Sequence, residues 1–339
     1  MLRLLAAALA LAAPGAPSTV ATAHGQVVGV AQSGGSVAWL TSGATGCTLT
    51  LRAGGASHTV RYADGCSPGA QDLALANATA AWGGYQEVRC SETYAEVHTG
   101  TASRTHLVQT IDGDCLGFGT SYQGLAGDGT SFYYALLDTK EPPTRNCGDV
   151  GHCHWQLQGG EILRIAGGKA RRVPGLPAAA LIAGAPGLLA LVQPARAAVS
   201  SGKSFDWPRA ATNGKVSIYD TKSGRVVASF APRGTVRAVA VSPTRAVVLV
   251  QAGSAWRLEW YDARSGARLG SAPVPPSTGL ATDGNVAAYA AGNSVRVLDL
   301  TTAASKLVAR TAGPAVGLSI DAGRLLWGER AAIRAAPVP

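Results

Sequence analysis

The densest run of groups able to do chemistry is Cys147-Gly148-Asp149-Val150-Gly151-His152-Cys153-His154. His152 and His154 are two residues apart, so on an extended strand both imidazoles point to one face. Such a pair can take a copper or zinc ion together with Asp149 or a remote ligand. Read the other way, the segment is a surface loop closed by a disulfide, with its histidines solvated. Two ligands alone make a weak site, so the loop is the expected reading. A second candidate is Ala197-Ala198-Val199-Ser200-Ser201-Gly202-Lys203-Ser204, which fits a relaxed phosphate-loop pattern. A working phosphate loop joins a strand to a helix whose N-terminus holds the anion. Here Phe205-Asp206-Trp207-Pro208 follows, which is poor helix sequence. No G-x-S-x-G elbow, H-E-x-x-H pair or dinucleotide fingerprint occurs, and no cofactor is expected.

What these residues can do depends on the frame that holds them. The chain has 339 residues, with 43 Gly and 18 Pro; 47% are hydrophobic and only 14% charged. A disordered chain needs the opposite balance. Long helices are also excluded, since each interior glycine costs a helix roughly 1 kcal/mol. Many short strands joined by turns remain.

The opening of the chain, with Arg3, then an apolar run from Leu4 to Ala13, then small residues, has the layout of a secretory leader. We expect a signal peptide over residues 1–15, with cleavage as late as residue 23, and a single domain over 16–339. An apolar run of that length falls short of the roughly 20 residues needed to span a bilayer, so no transmembrane segment is expected. The expected address is extracytoplasmic, and six cysteines suit an oxidising compartment. The formal charge of +9 is uneven: residues 1–150 carry 7 Lys+Arg against 11 Asp+Glu, whereas 151–339 carry 22 against 9. The arginines are scattered, with no nucleic-acid-binding motif beside them, so nucleic acid is not an expected partner.

A weak repeat runs through the chain. Copies start at Gly29, Asp72, Gly124, Leu181, Ala238, Gly279 and Gly317. The next residue is aliphatic each time (Val30, Leu73, Leu125, Ile182, Val239, Leu280, Leu318), and the one after is Ala or Ser. Ten positions from each start come Trp39, Trp82, Tyr134, Leu191, Val248, Tyr289 and Trp327. Turn formers lie between, among them Asp128-Gly129 and Asp283-Gly284, a strong hairpin signal. Each copy thus begins with a small-residue strand hairpinned to a second strand, and small residues belong where strands crowd around a central channel. The column of large residues reads as packing between blades. Starts are 38 to 57 residues apart, which brackets a four-stranded blade.

Several copies end in a second hairpin, clearest in Tyr219-Asp220-Thr221-Lys222-Ser223-Gly224 and Tyr261-Asp262-Ala263-Arg264-Ser265-Gly266. Here the chain resembles the WD40-like and quinoprotein-like β-propellers, whose outer hairpins carry a similar aromatic-Asp-x-x-[Ser/Thr]-Gly turn. The Gly-His and Trp-Asp signatures of strict WD40 repeats are absent. The fold expected is all-β: a seven-bladed β-propeller of four-stranded antiparallel blades. Ser319-Ile320-Asp321-Ala322-Gly323 is similar to the Asp-box of sialidase propellers, but Trp327 falls one place late and no second copy exists.

The repeat also sorts the cysteines. Cys47 and Cys66 flank the outer hairpin of the first copy, and Cys90 and Cys115 flank that of the second. We expect Cys47–Cys66, Cys90–Cys115 and Cys147–Cys153; two zinc sites are the rival, without any C-x-x-C spacing to support them. Only 22 residues follow Gly317, enough for about three strands. Residues near Ser18–Gly25 are therefore expected to supply the outer strand of the last blade, with cleavage near Gly15 rather than after Ala23.

The long copies, three and four, place insertions at about Asp138–His154 and Gln193–Asn213, between second and third strands. Adjacent blades should set these side by side at one rim, gathering Lys140, Arg145, Arg196, Lys203 and Arg209 with Trp155, Phe205 and Trp207. Aromatics beside cations on long loops suit anionic or carbohydrate-like partners. The function expected is a non-catalytic, monomeric binding module for a protein or anionic polysaccharide at the cell surface. The alternative is a propeller enzyme, a quinoprotein-like oxidoreductase or a polysaccharide-acting hydrolase or lyase, with its site assembled at the central channel.

Overall fold

The computed structural model describes residues 16–44, 46–63, 71–86, 94–112, 119–140, 152–194, 197–201 and 212–338. These form seven antiparallel sheets arranged as the blades of a propeller, and no helix occurs among the described residues. The innermost strands are Gln26–Ser33, Gln71–Ala76, Gly119–Gly127, Leu181–Ala185, Thr235–Val241, Gly279–Asp283 and Val316–Asp321. Each contains or begins at one of the seven repeat starts, and each touches the next around the ring, the last meeting the first.

The repeat column is explained by register. Val30 pairs Trp39, Leu73 pairs Trp82, Leu125 pairs Tyr134, and the same offset recurs in blades 4, 5 and 6. In blade 7 a bulge between Val316 and Ser319 removes Trp327 from that pairing. All seven large residues are buried, and each falls in a different apolar cluster. Those seven clusters are the seven seams between neighbouring blades. The core is therefore not one mass but a ring of sheet-on-sheet contacts.

The ring closes as expected. Ser18–Thr22 pairs antiparallel with Ala332–Pro337 and completes blade 7 as its outer strand. Val20 and Ala21 pack on a seam shared by Val27, Val30 and Trp39 of blade 1 with Leu326, Ile333 and Ala335 of blade 7. The Asp-box-like segment has a role in this seam. Asp321 accepts the Gly34 N–H at 2.9 Å, and Gln32 donates its amide to the carbonyls of Ser319 and Arg324 at 2.8 and 2.7 Å. Blade 7 is thereby fastened to blade 1.

The outer turns are held by their aspartates. Asp220 accepts the N–H groups of Lys222 and Ser223 at 3.0 and 2.8 Å, and Asp262 and Asp299 do the same for Arg264/Ser265 and Thr301/Thr302. The Ser223 N–H and the Arg264 guanidinium hold the Asp220 carboxyl down to about 2. The family-like turn motif thus has a local reason: the carboxylate satisfies turn donors that would otherwise be unpaired.

Candidate functional site

The two faces of the propeller differ. One carries the tight turns within each blade's first and last hairpins. On the other, second strands pass to third strands and one blade passes to the next. The strand ends joined through 64–70, 87–93, 113–118, 141–151 and 202–211 all lie on this second face, around blades 1 to 4. Cys47, fully buried, begins the third strand of blade 1 at the same face. Cys66, Cys90, Cys115 and Cys147 lie outside the described residues, as does the side chain of Cys153.

At the junction of blades 3 and 4 the sheet grows. The third strand of blade 3 runs for 15 residues, His152–Ala166, and its first part leaves its own blade behind. Ala197–Ser201 pairs with it antiparallel, from His152 opposite Ser201 to Gln156 opposite Ala197. The two insertions are joined by backbone hydrogen bonds, as a fifth strand that the repeat did not foretell. Lys140, exposed, ends the second strand of blade 3 opposite Gln156, and Trp155 lies opposite Ala198. Arg145, Arg196, Lys203, Phe205, Trp207 and Arg209 lie outside the described residues, as do the side chains of His152, His154 and Trp155. No group of three metal-capable side chains occurs among the described residues. The phosphate-loop reading fails on local structure, because Ala197–Ser201 is a strand where the glycine-rich loop should begin.

A second feature was not anticipated. Between blades 4 and 5 lies a groove of about 630 Å³ lined by Arg233, Arg257, Glu259, Tyr261 and Arg268, together with Ala231 and Ala252. Arg257, Glu259 and Tyr261 alternate along Ala255–Asp262 and so share one side of the strand. Arg233 comes from the link between blades, after Phe230, whose ring stacks on Tyr261 at 3.8 Å. The Glu259 carboxylate is 3% exposed and fully engaged. Arg257 Nε donates to Oε1 at 2.5 Å, Arg268 Nη2 approaches Oε1 at 3.4 Å, and the Tyr261 hydroxyl donates to Oε2 at 2.5 Å. Burial, then Glu259, pushes the Tyr261 hydroxyl up, so it stays a donor. Arg257 also donates to the Arg233 carbonyl.

Other buried polar clusters have structural explanations. Between blades 1 and 2, His98 lies flat on Trp82 with ring centroids 5.2 Å apart, and its Nε2 is 2.9 Å from Glu96. Burial holds the His98 imidazole below its ordinary value, in spite of Glu96. In blade 3, burial pushes the Asp128 carboxyl up, but donors from Thr130 and Ser131 outweigh it and hold it down. In blade 7, Glu329 takes Arg334 Nε at 2.9 Å and the Trp327 indole at 3.4 Å, and Thr19 caps the same arginine.

The overall shape matches solved propellers. The WD40 domain of Neurospora crassa Pan2 superposes with a TM-score of 0.53 at 12% identity, over 93% of this chain and 90% of that one. The computationally designed Ika8 protein gives 0.51 at 11% identity, over 94% and 98%. BamB from Moraxella catarrhalis gives 0.49 at 11%, over 96% and 99%. The likeness is one of fold, and it bears out the propeller resemblance seen in the repeats. No protein-family model and no curated protein matches the sequence.

Proposed function

We propose that this propeller is an exported interaction module that binds a protein or an anionic polysaccharide partner at the cell surface through the rim of blades 3 and 4. The observation that carries the reading is the pairing of His152–Gln156 with Ala197–Ser201, which welds two insertions from adjacent blades into one platform. Loops on a rigid scaffold can diverge without disturbing the seams that hold the ring, which is why function concentrates there. On this reading Lys140, Arg145, Arg196, Lys203 and Arg209 act in binding together with Trp155, Phe205 and Trp207, because cations and flat rings in combination suit acidic sugars or an acidic protein patch. Among the described residues no helix is long and apolar enough to cross a membrane.

The double substitution Trp207→Ala with Arg209→Ala should weaken binding to immobilised heparin or polygalacturonate by roughly tenfold while moving the melting temperature by less than about 2 °C. Unchanged binding by that variant, together with binding lost on altering the tight-turn face, would refute the assignment. The reading further proposes three disulfides, Cys47–Cys66, Cys90–Cys115 and Cys147–Cys153, as an oxidising compartment would favour. Peptide mapping of unreduced protein should find those linkages; free thiols or cross-blade pairs would remove this support.

A further inference from the structure

Three arginines converge on the groove between blades 4 and 5, and one buried carboxylate cannot neutralise them. Glu259 compensates a single charge, which leaves the cluster of Arg233, Arg257 and Arg268 at +2. Arg268, which lines the groove, is half exposed and meets Glu259 only at 3.4 Å. The Arg233 guanidinium has no hydrogen-bond partner among the described residues, and only its backbone carbonyl is engaged. A purely structural cluster in this protein looks different. In blade 7 one arginine serves one glutamate, with an indole and a threonine hydroxyl closing the set.

The blade repeat does not demand a charge here either. Counting back three residues from the turn aspartate, blade 5 has Glu259, blade 4 has Ser217 and blade 6 has Arg296. Counting forward six, blade 5 has Arg268, blade 4 has Val226 and blade 6 has Ser305. Where blade 4 needs only a Ser217–Ser229 contact and blade 6 an Arg296–Ser305 one, blade 5 spends an acid to hold two guanidinium groups in place. Guanidinium groups that line one groove and keep donors not taken up by Glu259 suit the several oxygens of a tetrahedral anion.

We propose that this groove binds a tetrahedral oxyanion, phosphate or sulfate, free or as the monoester of a sugar-sized molecule. Glu259 is a positioning residue that aims Arg257 and Arg268, while Arg233 and Arg268 supply the donors. Ala231 and Ala252, small side chains in the same lining, leave room beside the arginines for whatever carries the ester. This site stands apart from the rim of blades 3 and 4, and either can fail without the other.

Calorimetry on the full chain with inorganic phosphate, inorganic sulfate, glucose 6-phosphate and a sulfated disaccharide tests the assignment, with chloride as the control anion. Saturable binding of one or more of the four is expected, and the tighter of the free or ester forms identifies the source. Arg233→Gln and Arg268→Gln, both at accessible side chains, should each weaken that binding by about tenfold. Arg296→Gln, at a half-buried arginine of blade 6 that does not line the groove, should leave it unchanged. No saturable binding by the parent chain, or equal weakening by Arg296→Gln, would overturn the proposal and leave only diffuse positive charge.

Discussion

Gly317→Ala is expected to destabilise the protein by about 3–5 kcal/mol, the sum of a left-handed backbone penalty and an overpacked contact. Gly317 sits at φ +60° at the start of the innermost strand of blade 7, where a side chain is strained whatever the space. A Cβ there would also overlap the backbone nitrogen and Cα of Val30 in blade 1. Backbone cannot swing aside as a side chain can, so relief requires the two blades to part along the seam that closes the ring. For a chain of this size the melting temperature should fall by about 6–10 °C. Gly54→Ala provides the control: its φ is +56° but nothing lies within 4 Å of the added carbon. That variant should lose only about 1–2 kcal/mol. Equal losses at the two positions would show that the close approach of blades 7 and 1 is not what Gly317 provides.

Removing the first strand should have a comparable effect by a different route. A chain starting at His24 loses the pairing of Ser18, Thr19, Ala21 and Thr22 with Ala335, Arg334, Ile333 and Ala332. It also loses the Thr19 hydroxyl that caps Arg334, and the Val20 carbonyl that accepts from Arg52 at 3.3 Å. Four or five net hydrogen bonds and the partial burial of Val20 and Ala21 together amount to roughly 4–6 kcal/mol. Ala332–Pro337 would become an unprotected edge, the ordinary template for association between chains. Urea titration and light scattering should show both effects relative to a chain starting at Ser18. Adding a peptide of residues 17–25 should restore part of the loss, because the groove it fills is otherwise intact. A His24 chain as stable and as monodisperse as the Ser18 chain would mean that the strand is decoration.

Much of this architecture is legible in the residues because a propeller repeats its local decisions. Val30 facing Trp39, or Leu280 facing Tyr289, records a cross-strand pair, and seven such pairs record seven blades. The closing strand was legible too, since three strands after Gly317 leave a fourth place to fill. The fifth strand of blade 3 was hidden because its partner, Ala197–Ser201, lies about 45 residues away and repeats nothing. Its alanines and serines looked like a phosphate loop only while their neighbours were unknown. The arginine groove escaped for a related reason. Arg233, Glu259 and Arg268 belong to three different strands or links, and no local spacing announces that they meet. Setting blades 4, 5 and 6 in register was the one signal available, since Glu259 stands out against Ser217 and Arg296.

The closure through Ser18–Thr22 also orders events in time. Ser18–Thr22 is made long before its partner Ala332–Pro337, so it must wait while the intervening blades are made. Blades 1 to 6 can form from hairpins between consecutive strands, which are short-range and quick. Joining the two ends spans more than 300 residues and comes last, as a latch that gains little until the ring behind it is assembled. Until then both flanks of the final blade lie open, and partly built rings can latch onto one another by exchanging first strands. Moving the chain ends by circular permutation into a link between blades would turn the latch into an ordinary covalent hairpin edge. Such a permutant should refold with less dependence on protein concentration than the natural order does.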